Sequence, residues 1–195
     1  MQGQENLITR YNRVWQSEKL EKAGKAESFI LGFEESYGYL AGSCVRDKDA
    51  VVAVMLIAEM ASYYKERGKT LFERMEELYA EYGTYAHKLL TFEYAGASGA
   101  KKMQELLKEL RQEQPKEIAG LKVEGYVDYL SQRQWELPKA NVMQYDLEGG
   151  AQAIVRPSGT EPQIKVYLTA AKTPAENARE IAELENAMKK LLSAE

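Results

Sequence analysis

Apolar and polar positions alternate strictly through the last third of the chain. Ala151–Val155 and Ile164–Thr169 both follow the two-residue period of a half-buried strand. Val142–Leu147 precedes them, and the intervening Glu148-Gly149-Gly150 is a hairpin signal. Tyr85–Tyr94 alternates as well, with Lys88, Leu90, Phe92 and Tyr94 on one face, and Leu121–Val127 reads as a shorter strand. Two stretches keep a helical period instead. Ser98 can cap a helix carrying Met103, Leu106, Leu107 and Leu110, which Gln114-Pro115 closes. The last helix opens with a capping box from Thr173 to Glu176 and has Pro174 at its first position. Ala178, Ile181, Ala182, Met188 and Leu191 are expected to line its buried face, while Lys189 and Lys190 suit the negative end of its dipole. Ser131–Ala140 is a polar linker.

The first part has a different texture. Leu7, Ile8, Val14, Trp15 and Leu20 suggest a weakly amphipathic helix. Phe29-Ile30-Leu31 reads as a buried strand emptying into a loop at Gly32. Asp49 can cap a helix whose Ala50–Met60 stretch is apolar on nearly every face and which stops at Gly68. Such a helix should be buried on more than one side, so its packing partners need not all lie in this chain. Thr70 and Glu73 form a capping box for a helix facing inward with Leu71, Met75, Leu78 and Tyr82 and ending at Gly83. The change of texture near Gly83 marks a boundary between 1–83 and 84–195. From residue 84 the order is strand, helix, strands, helix: a small α+β domain of antiparallel sheet with helices on one face.

Charge and composition narrow the function. The net charge is −4, and no basic stripe is available to track a nucleic acid. The longest apolar run, Ala50–Ala58, is too short to span a bilayer, and the N-terminal MQGQEN lacks a signal-peptide core. A single cysteine, Cys44, excludes an intramolecular disulfide and fits a reducing compartment. The expected location is the cytoplasm, with no nucleic-acid or membrane partner.

The candidate chemistry gathers in Arg156-Pro157-Ser158-Gly159-Thr160-Glu161-Pro162, read as a loop between two strands. Arg156 offers a planar fork of donors, Ser158 and Thr160 offer hydroxyls, and Gly159 lets backbone N–H groups turn toward an anion. Two prolines restrict the loop beforehand. By chemistry alone this is either a phosphate site or a rigid turn whose hydroxyls satisfy local backbone. Glu34-Glu35-Ser36, in the stretch Gly32–Tyr39, could accept and donate hydrogen bonds to vicinal sugar hydroxyls, or could be a solvated acidic turn. Lys48 lies just ahead of a helix N-terminus, where a cation is mildly unfavourable, and is either a surface charge or a ligand contact. Asp47 and Asp49 read as caps rather than metal ligands, and His87 as structural.

RPSGTEP followed by an alternating strand resembles the phosphate-binding loop in the last domain of the α-D-phosphohexomutases, the phosphoglucomutases and phosphomannomutases. Gly32-Phe33-Glu34-Glu35-Ser36 resembles their sugar-recognition loop, and Arg46-Asp47-Lys48-Asp49-Ala50 the segment whose lysine reaches the active site. The two loops stand in the family's order, and the resemblance runs from about Phe29 to the C-terminus. It implies an α/β and α+β chain: a partial third (βα) domain followed by the C-terminal phosphate-binding domain. It also implies sugar contacts from Glu34, Glu35, Ser36 and Lys48, and phosphate contacts from Arg156, Ser158, Gly159 and Thr160.

The implied reaction moves a phosphoryl group between C1 and C6 of a hexose through an enzyme phosphoserine and a hexose bisphosphate, with Mg²⁺ neutralising charge. The chain contains neither a Thr-Ala-Ser-His-Asn-like serine loop nor an Asp-x-Asp-x-Asp run. The expectation is a C-terminal portion that recognises a glucose or mannose phosphate, binds no Mg²⁺ itself and turns over nothing alone. Its expected partners are hexose phosphates, and either the N-terminal domains or a second copy. The alternative is a stand-alone sugar-phosphate-binding or interaction module.

Overall fold

The computed structural model describes residues 20–33, 38–42, 48–131, 139–159 and 161–192. The helix expected around Leu7–Leu20 falls almost entirely outside them, as does most of the polar linker before Ala140. The chain divides into two compact units, Met1–Leu78 and Tyr79–Glu195, so the division falls inside the helix that leads to Gly83.

In the first unit, β1 (Leu31–Phe33) and β2 (Tyr39–Ala41) pair antiparallel with Phe33 opposite Tyr39. The strand expected at Phe29–Leu31 is thus displaced. Ile30 is 82% exposed and Leu31 is also exposed, because among the described residues the pairing partner is three residues long and its register takes Leu31, Gly32 and Phe33. The next helix, α1 (Ala50–Glu66), starts where expected: the Asp49 carboxylate accepts the N–H groups of Val51 (2.8 Å) and Val52 (3.2 Å).

No residue of α1 is buried, although the helix is apolar on nearly every face. A ribbon of two three-residue strands cannot cover a 17-residue helix. In α2 (Leu71–Tyr82) the capping box forms: Thr70 N–H donates to Glu73 (2.7 Å), and Glu73 N–H donates to the Thr70 hydroxyl (3.1 Å). The inward face expected there is absent, since Met75, Leu78 and Tyr82 are all exposed.

The second unit runs β3 (Ala86–Glu93), α3 (Gly96–Glu113), β4 (Glu117–Ile118), β5 (Leu121–Asp128), β6 (Met143–Leu147), β7 (Gln152–Pro157), β8 (Gln163–Ala170) and α4 (Pro174–Leu192). Its strands form one antiparallel sheet in the order β3-β8-β7-β6-β5-β4. Pairing carries the sequence alternation across the sheet: Met143 lies opposite Val155, which lies opposite Val166, and Tyr145-Ala153-Leu168 forms the next row. Met103, Leu107 and Leu110 of α3 and Ile181, Leu184, Met188 and Leu192 of α4 join these rows in one core, so both helices cover the same face. Each such aliphatic side chain contributes roughly 1.5–3 kcal/mol when fully buried.

Three local details differ from expectation or explain it. Helix α3 starts from Ala95 with no side-chain cap, and Ser98 lies within its first turn. Gly99 is needed because a Cβ there would sit 2.5 Å from the carbonyl carbon of Tyr94. In α4 the buried residues are Asn177, Glu180, Ile181, Leu184, Met188 and Leu192, whereas Ala178, Ala182 and Leu191 face solvent. The helix is phased by polar anchors. The Asn177 amide donates to the carbonyls of Thr84 (3.1 Å) and Lys172 (3.0 Å) and accepts the Lys172 N–H (2.6 Å), while Glu180 pairs with the Lys172 ammonium. Apolar periodicity cannot see such a face.

The turn between β4 and β5 places Ala119 at φ 54° and Gly120 at φ 77°, the signs of a type I′ hairpin. Asparagine tolerates the left-handed region better than alanine. We expect Ala119→Asn to stabilise the chain by about 0.5–1 kcal/mol, read as a higher urea midpoint with an unchanged slope. A lower midpoint would show that the turn carries no strain.

Candidate phosphate-binding site

The site is built where β7 turns into β8. The ladder runs two residues further than the sequence suggests: Arg156 lies opposite Lys165 and Pro157 opposite Ile164, so both belong to β7, and the loop proper is 158–162. Pro157 is tolerated there for a geometric reason. The Ser158 N–H donates to the Gln163 carbonyl (2.8 Å), so Pro157 directs its missing N–H away from β8, past the Met143–Val155 pair where the β6 ladder ends. Val155 and Pro157 point into the core and are buried; Arg156, between them, projects from the helix-free face and is half-buried.

Short bonds hold the loop in shape. Glu161 N–H donates to the Ser158 hydroxyl (3.3 Å), and Gln163 N–H donates to the Glu161 carbonyl (2.8 Å). Tyr94 N–H donates to the Pro162 carbonyl (2.9 Å), and the Gln163 amide reaches the Glu93 carboxylate (3.2 Å). Gly159 does not adopt a left-handed backbone, and a Cβ there would meet nothing within 4 Å, so its face is open. This differs from the expectation that glycine is needed for its backbone freedom. Its contribution is room.

Lys165, which sequence reasoning missed, is the neighbour of Arg156 across the ladder and shares its face. Like charges directly opposite in a sheet repel, at a cost of a few tenths of a kcal/mol to about 1. Its signal in the sequence is its place among the odd, polar positions of an alternating strand, which identifies a partner only once the register is known.

Thr160 lies outside the described residues, as do Glu34, Glu35 and Ser36. Phe33 and Tyr39, which flank that segment, stack with ring centroids 6.4 Å apart. Lys48 is in the first unit, exposed and next to the cap Asp49. Of the expected site residues, the structure therefore brings Arg156, Ser158 and Gly159 together at one turn. His87 sits on β3 with Nδ1 3.1 Å from the Thr169 hydroxyl, and desolvation lowers its pKa; it is four register positions along β8 from Lys165. Among the described residues no helix is long and apolar enough to cross a membrane.

Residues 100–187 match the family model for the C-terminal domain of phosphoglucomutase/phosphomannomutase, and residues 13–82 match the model for alpha/beta/alpha domain III of the same family. A phosphoglucomutase of Staphylococcus aureus (strain bovine RF122 / ET3-1) is 36% identical over 201 residues, covering 93% of this chain and 36% of that protein. One from Staphylococcus haemolyticus (strain JCSC1435) is 41% identical over 153 residues, covering 73% of this chain and 28% of its own length. The fold is similar to that of the exocytosis-sensitive phosphoprotein pp63/parafusin, a phosphoglucomutase from Paramecium in its open form. That likeness has a TM-score of 0.61 at 22% identity and covers 91% of this chain and 32% of the other. The chain spans about a third of the length of the curated relatives it matches. With both of its units matched in order by consecutive domains of one enzyme, the chain belongs to the phosphoglucomutase/phosphomannomutase family and carries that family's domains III and IV.

Proposed function

We propose that the second unit grips the phosphate of a hexose phosphate, through Arg156, the hydroxyls of Ser158 and Thr160, the open backbone at Gly159 and the ammonium of Lys165. The observation that carries this reading is the pairing of two cations, Arg156 and Lys165, at the root of a proline-bounded loop. An anion between them converts a mutual repulsion into two charge-assisted contacts, and the guanidinium adds a planar fork that suits phosphate oxygens. In the first unit, Glu34, Glu35, Ser36 and Lys48 would read the sugar hydroxyls, as the family resemblance implies.

The parent activity on this reading is an isomerisation, the intramolecular transfer of a phosphoryl group between C1 and C6 of glucose or mannose phosphates through a hexose bisphosphate. This chain contributes recognition rather than the reacting groups. Among the described residues no group of three or more His, Cys, Asp or Glu side chains could hold a metal ion, and the reading gives this chain no role in holding Mg²⁺. The metal and the phosphoserine belong to the parent enzyme's other domains. Purified chain assayed as a phosphoglucomutase with Mg²⁺ and glucose 1,6-bisphosphate should show no turnover; measurable activity would sink this division of labour.

Binding should be weak, in the millimolar range or about −4 kcal/mol, because the rest of the pocket is not supplied. Glucose 1-phosphate at about ten times Kd should stabilise the chain by about 1.4 kcal/mol in thermal unfolding. Arg156→Ala should abolish the shift, and Lys165→Gln should weaken binding several-fold without lowering the ligand-free Tm. A full shift retained by Arg156→Ala would place the phosphate elsewhere, and micromolar affinity would favour a stand-alone binding module.

A second reading, that the chain is also an interaction piece, rests on α1, where Val51 is 69% and Val54 67% exposed. Apolar surface of this kind calls for cover, either the N-terminal domains or a second copy of the chain. Size-exclusion chromatography should show concentration-dependent self-association of the chain alone. A clean monomer at all concentrations would count against it.

A further inference from the structure

Two hydrogen bonds and one close backbone contact converge on one residue behind the phosphate loop. The Tyr94 N–H holds the Pro162 carbonyl at 2.9 Å. Its phenol donates to the Leu192 carbonyl at 2.6 Å, in the final turn of α4. Its backbone is pressed from below by α3, where Gly99 leaves no room for a Cβ. The ring is buried, 3% exposed, among core residues. Carbonyls at a helix C-terminus have no partner within the helix, so the phenol satisfies one of them. Desolvation raises the phenol's pKa, which keeps it a donor throughout the physiological range.

The arrangement does more than fill space. Pro162 ends the loop that Ser158 begins, and the two ends are joined by the Ser158–Gln163 bond. A shift of the Tyr94 backbone therefore moves the Pro162 carbonyl and, through Gln163, the Ser158 amide. The Glu93–Gln163 contact acts from the same strand end and on the same side of the loop.

We propose that Tyr94 is the positioning residue of the phosphate grip: by tying the loop's exit to the last turn of α4 and the first turn of α3, it sets where Ser158 and Gly159 present their donors. This rests on the reading of the loop as a phosphate site. Binding requires donors placed to within about half an ångström, and an anchor in the core adds rigidity to the bonds the loop makes for itself. An exposed loop thereby inherits the rigidity of the most buried part of the unit.

The test compares two variants of the full chain. Tyr94→Phe keeps the ring and the backbone N–H and removes only the phenol donor. Leu192→Ala keeps the carbonyl acceptor and removes core packing instead. Each is titrated with inorganic phosphate and with glucose 1-phosphate well below its Tm, following the amide NMR signals of Ser158, Gly159 and Glu161. The expected result for Tyr94→Phe is displaced loop signals before any ligand is added and an affinity lowered about three- to tenfold, tenfold being about the ceiling if the whole worth of the lost bond is felt at the loop. Leu192→Ala should lower the Tm more, yet leave the loop signals and the affinity within twofold of the parent chain. Parent-like loop signals and affinity in Tyr94→Phe would overturn the proposal, as would an affinity loss in Leu192→Ala that simply tracks its Tm. A parent chain that responds to neither ligand would instead remove the phosphate reading. The ligand-free signals of Tyr94→Phe would then still report whether Tyr94 shapes the loop.

Discussion

The pairing of β7 with β8 in a single register underlies everything else in the second unit. With Val155 opposite Val166, the odd positions of β7 and the even positions of β8 enter the core under two helices. The same register sets Arg156 beside Lys165 on the other face and closes the turn at Ser158 and Gln163. A slip by one residue would exchange the two faces, sinking a guanidinium among aliphatic side chains at a cost of several kcal/mol. Core and site are therefore specified by one choice. A substitution that shifts this register disturbs both.

Polar groups also fix the geometry, through hydrogen bonds shared between elements. On the helix-free face, Tyr129 donates to Gln144 (3.0 Å), and the amides of Gln144 and Gln152 both donate to one Asp146 oxygen (2.8 Å each). Burial pushes the Tyr129 phenol up to about 12, so it donates rather than ionises. Asp146 in turn lies over Gly125, where a Cβ would come within 3.0 Å of its carboxylate. This chain of bonds runs from Tyr129, just past the end of β5, through β6 to β7, and it specifies strand order more sharply than the apolar rows beneath it. On the other face, the Asn177 and Glu180 anchors do the same for the start of α4.

What could be read in advance follows from the range of each interaction. The Asp49 cap, the Thr70–Glu73 box and the Gly149-Gly150 turn, with φ values of 76° and 83°, are decided within a few residues and stand where the sequence places them. The phase of α4 escaped because Asn177 and Glu180 take their burial from Thr84 and Lys172, outside the helix. The inward faces expected of α1 and α2 escaped because burial needs a partner, and apolar spacing says nothing about whether one is near. The site divides along the same line. Arg156, Ser158 and Gly159 sit in one contiguous motif and could be named, whereas Lys165 and Tyr94 reach the loop only through strand pairing.

Pro157 has one more effect. Many proteins acquire partners by β-augmentation, in which an incoming segment adds itself to free backbone donors along a sheet. At the rim above Met143, where β6 stops and β7 continues, the next position on β7 facing that side offers no N–H. A foreign strand trying to extend β6 alongside the grip would find its first acceptor unanswered. The rim beside Arg156 and Lys165 is thereby a poor edge for strand addition.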